Sequence, residues 1–216
     1  MAFLTFRHRF IASQIATQSG ASNITLLMLH GTGGTETDLL DMGRVIAPEA
    51  ALLSPRGKVL ENGMSRFFRR LAEGVFDLDD LKLRTHELAD FITAAADAYQ
   101  FDREHMVAVG YSNGANIAAS LMLSVPKMLA GAILFRPMLP LTPDVPPALA
   151  DVPVLISAGQ YDPIVAAAQT AQLADMLRSS GAHVTQITQP SSHALTQADV
   201  EAARVWFAEQ FTVPTR

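Results

Sequence analysis

The sequence predicts an α/β fold in which a doubly wound, mostly parallel sheet carries helices on both faces. Short runs of branched apolar residues recur along the chain, and turn-forming residues follow them. Such runs are typical of central strands in a parallel sheet, because helices cover both faces of these strands. Segments with helical periodicity lie between the runs, and this alternation favours a doubly wound sheet. No linker interrupts the pattern, so we expect residues 1–216 to form a single domain.

The strands are predicted from these apolar runs. Central strands are expected at residues 24–29, 106–109, 132–135 and 154–156, and outer strands at about 6–11, 51–54 and 184–188. The proline-rich residues 137–153 are expected to form a surface connection between two strands.

The helices are predicted from their starts and their apolar stripes. Thr35 and Thr196 each precede an aspartate three residues later, an arrangement in which a side-chain oxygen caps the first helical turn. The aspartate also interacts favourably with the helix dipole. The predicted helices begin after Thr35, near Asp77 and after Thr196, and two more span about 115–123 and 165–180.

The composition excludes several classes of protein. With 49% hydrophobic and 17% charged residues, the chain can bury a full core, which excludes disorder as its main state. The absence of cysteine excludes disulfide scaffolds, cysteine-ligated metal sites and cysteine nucleophiles. A formal net charge of -5 offers no general attraction to phosphate backbones, so no nucleic-acid partner is expected.

The N-terminal residues MAFLTFRHRF interrupt their apolar run with Arg7, His8 and Arg9, unlike a secretory signal. We therefore expect a cytoplasmic location. The uncharged stretches 11–29 and 108–126 contain many serine, asparagine, glutamine and glycine residues, so we expect no membrane insertion.

The segment GYSNG at residues 110–114 fits the pattern G-x-S-x-G and lies between a predicted strand and a predicted helix. A serine nucleophile must project from a sharp turn, and the flanking glycines let strand and helix approach that turn. The pattern alone occurs by chance, and the alternative is a structural turn serine. Its position between strand and helix favours Ser112 as a nucleophile.

A serine nucleophile needs a histidine base and an acid that orients it, and both follow the serine in this fold. His193 is favoured over His183 because it lies in a predicted loop after the last strand, whereas His183 falls at a strand start. Asp162 is the preferred acid because it follows a central strand. The competing acids, which do not follow strand ends, are Asp144, Asp151 and Asp175. The alternative is that His193 is a solvated loop histidine and that Asp162 is a turn or cap aspartate.

This chemistry also requires two donors for the oxyanion of a tetrahedral intermediate. The first donor is the amide of Asn113, the residue after the nucleophile. The second donor comes from the glycine-rich loop 30–34, and we assign it to the amide of Thr32. A phosphate could occupy such a loop, but the lysine and glycine spacing of nucleotide-binding motifs are missing. His30 is expected to pack below the site. The remaining histidines lack metal-ligand spacing, so neither a metal nor a cofactor is expected.

Four motifs in this order, LMLHGTGG, GYSNGANIA, GQYDPIV and SSHAL, resemble the α/β-hydrolase superfamily. Within it, the chain is similar to the small phospholipase/carboxylesterase group, which includes acyl-protein thioesterases and dienelactone-hydrolase-like esterases. The resemblance implies Ser112, Asp162 and His193 as a triad and the amides of Thr32 and Asn113 as an oxyanion hole. It is also consistent with a homodimer. Dienelactone hydrolases proper use a cysteine nucleophile, which this chain lacks.

Residues 54–70 are expected to form a long loop of mixed basic and aromatic side chains, and SPRG and ENGMSRFFRRL within it resemble bacterial carboxylesterases of this family. We expect Phe67 and Phe68 to line an acyl pocket. Arg56 or Arg66 is expected to reach a carboxylate or polar head of the substrate. Alternatively, the aromatic rings cover the core and the arginines are solvated. Further pocket candidates are Met138 and Leu139.

The expected function is hydrolysis of small, soluble carboxylic esters by a serine carboxylesterase, through an acyl-enzyme. The short connection 137–153 leaves no large lid that could enclose a long acyl chain. An acyl thioesterase or lysophospholipase-type hydrolase is the alternative, because the same triad accepts those substrates. A different class of alternative is a non-catalytic small-molecule binding module on the same fold.

Overall fold

Residues 4–13 and 24–211 are described by a computed structural model of the chain. The strands are β1 (His8–Ile11), β2 (Thr25–Leu29), β3 (Ala51–Pro55), β4 (Val59–Glu61), β5 (Met64–Arg66), β6 (Arg70–Ala72), β7 (Val75–Phe76), β8 (Met106–Tyr111), β9 (Gly131–Phe135), β10 (Pro153–Gly159) and β11 (His183–Gln189). The helices are α1 (Leu40–Ile46), α2 (Leu78–Tyr99), α3 (Asn113–Ser124), α4 (Ala167–Ser179) and α5 (Gln197–Phe211), with a 3-10 turn at Arg103–His105.

In the described part of the chain, seven strands form a central sheet in the order β1-β3-β2-β8-β9-β10-β11. Only β1 in this sheet runs antiparallel, along β3, and the other neighbouring pairs are parallel. All residues of β2 and β9 are buried, as expected for strands covered on both faces. The predicted mostly parallel sheet is therefore confirmed.

Helices cover both faces of this sheet. Successive strand residues point to opposite faces, and in β2 the side chains of Leu27 and Leu29 join a core that includes α2, α3 and α4. Leu26 and Met28 join the opposite core, which includes α1 and α5. The doubly wound prediction is confirmed by this division. Across residues 4–13 and 24–211, every helix is too short or too polar to span a bilayer.

Of the two predicted threonine caps, one is confirmed and one is wrong. Thr196 Oγ1 accepts from the amide of Asp199 at 3.3 Å, and Asp199 Oδ2 accepts from the amide of Thr196 at 2.8 Å, which is a capping box at α5. Thr35 instead donates to Asp38 within a turn that precedes α1. The helix begins only at Leu40, and no side chain caps it.

Residues 54–70, predicted as one long loop, contain strands. β4 and β5 form an antiparallel hairpin, and Arg70 begins a second hairpin, β6–β7. The first hairpin turns at Asn62 and Gly63, with φ of 51° and 80°. An Asn-Gly pair suits such a turn because both residues adopt positive φ at low cost, so the sequence carried a signal for this hairpin.

The carboxyl ends of the parallel strands meet along one edge of the sheet. Leu29 of β2 pairs with Gly110 of β8, Tyr111 of β8 pairs with Phe135 of β9, and β10 and β11 continue the same direction. The loops that follow these strands therefore converge at this edge. Ligands of open α/β sheets bind at this edge.

Candidate active site

Ser112 lies at the sharp turn between β8 and α3. Its φ is 52°, a left-handed conformation that costs a non-glycine residue on the order of 1 kcal/mol or more. The turn is held by the Ser112 amide, which donates to Phe135 O at 2.9 Å. A Cβ on Gly114 would lie 2.0 Å from Leu29 O, so only glycine lets α3 approach β2 this closely. Backbone strain of this kind concentrates at functional sites.

The structure brings Ser112, His193 and Asp162 together in one hydrogen-bonded chain. Ser112 Oγ lies 2.9 Å from His193 Nε2, and His193 Nδ1 lies 2.8 Å from Asp162 Oδ2. The side chains of His193 and Asp162 are 15% and 2% exposed, so the acid is shielded while the base faces the surface. This is the arrangement that a serine nucleophile, a general base and an orienting acid require.

The two oxygens of Asp162 have different partners. Oδ1 accepts from the amides of Ile164 at 2.8 Å and Val165 at 3.0 Å, whereas Oδ2 faces His193. Burial by itself raises the pKa of Asp162, but the Val165 amide, the His193 ring and the Ile164 amide together hold the pKa below its usual value. The carboxylate therefore stays ionised, and its turn-forming role coexists with its contact to His193.

The loop that carries Thr32 is held by residues 65–67, at the end of β5. Two hydrogen bonds join this segment to the loop, from Gly33 N to Ser65 O at 2.9 Å and from Arg66 Nη1 to Thr32 Oγ1 at 2.7 Å. A third joins it to α3, from Phe67 N to Asn113 Oδ1 at 2.7 Å. Asn113 is the first residue of α3, where amide groups have no partner within the helix. Both predicted oxyanion residues are thus tied to one strand end.

His30 packs beneath this loop with both ring nitrogens engaged. The amide of Gly57 donates to Nε2 at 3.0 Å, so Nδ1 carries the proton and donates to Gly31 O at 2.7 Å. Burial lowers the pKa of His30, which keeps the ring neutral. Within residues 4–13 and 24–211, no cluster of three His, Asp or Glu side chains could hold a metal ion.

The lowered pKa of His30 predicts a pH-dependent loss of stability. Below about pH 6.5, the unfolded chain binds a proton at this residue that the folded protein excludes. The free energy of unfolding should therefore fall as the pH drops from 6.5 toward the lowered pKa, and the residue contributes no slope above that window. Urea unfolding between pH 7.5 and 5.5 measures this slope, which His30→Asn should reduce. Gln100→Asn, an exposed change at the C-terminal end of α2 that alters no titratable group, is the control and should leave the slope unchanged.

A cleft of about 320 Å³ opens beside Ser112 and His193. Its walls are formed by Thr32, Arg66, Arg70, Glu73, Gly74, Phe76, Tyr111, Ser112, Asn113, Asn116, Met138, Ile164 and His193. The predicted pocket residues Arg66 and Met138 are therefore at the cleft, together with both predicted oxyanion residues.

Four other predicted pocket residues lie elsewhere. Phe67 and Phe68 are 1% and 0% exposed and belong to the core, because the turn after β5 directs both rings inward. Leu139 also packs against this core. Arg56 forms an ion pair with the buried Glu36, which holds it away from the cleft. The alternative that the aromatic rings cover the core is thus the one that the structure favours.

The residues that form the far wall of the cleft were not predicted from the sequence. The β6–β7 hairpin pairs Arg70 with Phe76 and places both at the cleft, with Glu73 and Gly74 at its turn. The only indication of that hairpin in the sequence is Gly74, which adopts a φ of 73° at its turn. Asn116 was predictable, since it follows Ser112 by one helical turn and so lies on the same side of α3.

Comparison with known proteins shows the family of this chain. The profile of the family described as Phospholipase/Carboxylesterase matches residues 11–209. The chain belongs to the phospholipase/carboxylesterase family. This member is therefore an enzyme that hydrolyses ester bonds, and the family favours this interpretation over the non-catalytic binding module. It is 53% identical over 192 residues to MhqD of Bacillus subtilis (strain 168), covering 89% of this chain and 96% of that protein.

Solved structures place this phospholipase/carboxylesterase in the α/β-hydrolase fold. The Bacillus cereus carboxylesterase is 45% identical, with a TM-score of 0.91 over 96% of this chain and 95% of that chain. YahD, solved with malic acid, is 32% identical, with a TM-score of 0.88 over 95% and 100%. A carboxylesterase from Mesorhizobium loti is 34% identical, with a TM-score of 0.81 over 88% and 92%. The resemblance read from the four motifs is confirmed.

Proposed function

We propose that this enzyme is a serine carboxylesterase that hydrolyses small, soluble esters through an acyl-enzyme. The observation that carries the proposal is the hydrogen-bonded chain of Ser112, His193 and Asp162, with separations of 2.9 and 2.8 Å, at the wall of the cleft. A base at hydrogen-bonding distance activates the otherwise weak serine hydroxyl.

Acylation begins when Ser112 Oγ attacks the ester carbonyl carbon and its proton passes to His193 Nε2. Asp162 Oδ2 accepts a hydrogen bond from Nδ1–H and stabilises the imidazolium without taking its proton. The amides of Thr32 and Asn113 donate to the oxyanion of the tetrahedral intermediate, and each such donor is worth about 100- to 1000-fold in rate. The imidazolium then protonates the departing alkoxide, so that alcohol and acyl-enzyme result.

Deacylation repeats these steps with water. His193 Nε2 takes a proton from the water as its oxygen attacks the acyl carbon, and the same two amides stabilise the second oxyanion. The imidazolium returns its proton to Ser112 Oγ when the carbon–serine bond breaks. The products are the carboxylic acid and the free enzyme, so one ester and one water are consumed in each turnover.

The dimensions of the cleft support a small substrate. Its volume of about 320 Å³ is near the lower end of ligand clefts, which span roughly 300–1,000 Å³. The connection between β9 and β10 contains no helix in the described chain, so it supplies no large lid for a long acyl chain. Short esters in solution therefore fit this site better than lipids.

The charges on the far wall support a substrate that carries a carboxylate. Glu61 pairs with both Arg66 at 3.1 Å and Arg70 at 2.9 Å, so these three side chains hold one uncompensated positive charge. Burial and the charge of Arg70 lower the pKa of Arg66, and a bound anion would offset that repulsion. Glu73, at the hairpin turn, opposes this preference. YahD was solved with malic acid, a dicarboxylic acid.

Hydrolysis of matched esters tests the substrate class. We expect Arg70→Gln to lower kcat/KM for p-nitrophenyl hemisuccinate by about tenfold, mainly through KM, because a charge-assisted hydrogen bond is worth about 1.5 kcal/mol. The neutral p-nitrophenyl butyrate should be affected less. Arg69→Gln is the control, since Arg69 is 62% exposed and pairs with Asp77. Equal losses on both esters would refute a carboxylate contact at Arg70.

The same panel tests the reaction class. Butyryl thioesters of similar size are the competing substrates, and a higher kcat/KM for them would make the enzyme a thioesterase. A fluorophosphonate probe should label the intact enzyme at Ser112; failure to label it would contradict a serine hydrolase. A single domain, a cytoplasmic location and a homodimer remain predictions from the sequence.

A further inference from the structure

Arg136 follows β9 at the catalytic edge of the sheet, and its side chain is fully buried. We propose that Arg136, held by Asp199, is a positioning residue that fixes the loop carrying His193. Residues 190–196 connect β11 to α5 without regular secondary structure, so strand or helix hydrogen bonds do not hold this backbone. The inference rests on the proposed role of His193 as the general base.

The guanidinium of Arg136 binds the backbone on both sides of the histidine. Its Nε donates to Ser192 O at 3.2 Å, and its Nη2 donates to Ala194 O at 3.1 Å. The carbonyl of His193 itself accepts from the Tyr111 hydroxyl at 3.2 Å. Three consecutive carbonyl oxygens therefore accept hydrogen bonds from two side chains, Tyr111 at the end of β8 and Arg136 directly after β9. This clamp sets the distance from the imidazole to Ser112.

Arg136 is itself fixed by a buried carboxylate. Its Nη1 and Nη2 donate to the two oxygens of Asp199, each at 2.8 Å, and both side chains are 0% exposed. Nη1 also donates to the carbonyl and hydroxyl of Ser157 on β10. Asp199 in turn belongs to the capping box with Thr196 that begins α5. The clamp thus joins the sheet, the histidine loop and the last helix.

The chemistry of the site calls for arginine in particular. A guanidinium carries five N–H donors in a rigid planar fork, so it can bind a carboxylate and two separate carbonyl groups at once. A buried ion pair adds little to the stability of the fold, because the cost of desolvating both charges offsets their attraction. Well-packed apolar side chains in the same place often give equal or greater stability. The left-handed φ of 54° at Arg136 adds a further cost. The hydrogen bonds to the histidine loop give this costly arrangement a function.

The clamp is tested by separating stability from catalysis. Arg136→Met leaves Asp199 charged and buried, so it should lower Tm strongly; adding Asp199→Asn removes that charge and should restore much of the loss. The double variant is assayed well below its Tm. We expect its kcat to stay about 100-fold below that of the wild type, with KM changed less than threefold. The reason is that a displacement of the catalytic imidazole by about 1 Å lowers the rate by about this factor. Recovery of kcat together with Tm would overturn the clamp.

Arg136→Lys gives an independent measurement in a charge-conserving variant. Lysine can pair with Asp199, but one ammonium nitrogen cannot bind both flanking carbonyl groups. We expect kcat and the rate of fluorophosphonate labelling to fall together, at nearly constant KM. Arg178→Lys is the control, because Arg178 is 44% exposed and pairs with Asp175. Wild-type kcat in Arg136→Lys would contradict the clamp, whereas activity that survives Ser112→Ala would instead refute the proposed function.

Discussion

Replacing Ser112 with alanine is expected to lower kcat by on the order of 10⁶-fold, because no other oxygen in the cleft can form the acyl-enzyme through His193. Alanine has nearly the same backbone preference as serine at a φ of 52°, so the turn before α3 should persist. Binding of substrate in the cleft should also persist. Initial rates on a neutral p-nitrophenyl ester measure the loss, and intact-mass spectrometry after fluorophosphonate treatment measures the missing adduct.

The control for this experiment is Ser179→Ala, because Ser179 is exposed at the end of α4 and does not line the cleft. It should retain both the wild-type rate and the adduct. If Ser112→Ala kept more than about a thousandth of the wild-type kcat, direct attack by water would have to replace the acyl-enzyme.

Asp162→Asn is expected to lower kcat by on the order of 10⁴-fold near neutral pH. The amides of Ile164 and Val165 both donate to Oδ1, so the oxygen of the asparagine should stay on that side. Its NH₂ group would then face His193 Nδ1 and donate to it. This contact selects the tautomer in which Nε2 carries the proton, and that nitrogen can no longer accept the proton of Ser112.

Thermal unfolding separates this effect from a loss of fold, since the turn at Ile164 and Val165 keeps its acceptor in Asp162→Asn. Tm should change little while kcat falls. Asp144→Asn is the matched control, because Asp144 is an exposed aspartate in the connection before β10. Comparable rates for the two variants would show that Asp162 does not orient the base.

The triad was predictable from the sequence because each member follows a strand in a recognisable way. Ser112 is marked by flanking glycines, Asp162 by the central strand before it, and His193 by a loop between the last strand and the last helix. Parallel strands bring their carboxyl ends to one edge, so these loops had to meet. The triad was therefore inferred without any knowledge of distances.

The cleft wall was not predictable in the same way. Arg70 and Phe76 face the cleft only because a short hairpin pairs them, whereas Phe67 and Phe68, in the same aromatic run, turn into the core. Local sequence does not distinguish an aromatic ring that lines a pocket from one that fills a core, because both are apolar and differ only in what packs against them.

Periodicity and motif spacing are local properties of the chain, so they were enough to predict the α/β architecture and to select the three residues that we propose as the triad. The tertiary structure alone revealed the Arg136–Asp199 clamp, whose members are 63 residues apart. It also decided that Glu61 is shared between Arg66 and Arg70. Such pairs depend on how strands, hairpins and helices pack. Packing brings together residues that are distant along the chain, and no local sequence pattern indicates which of them will meet.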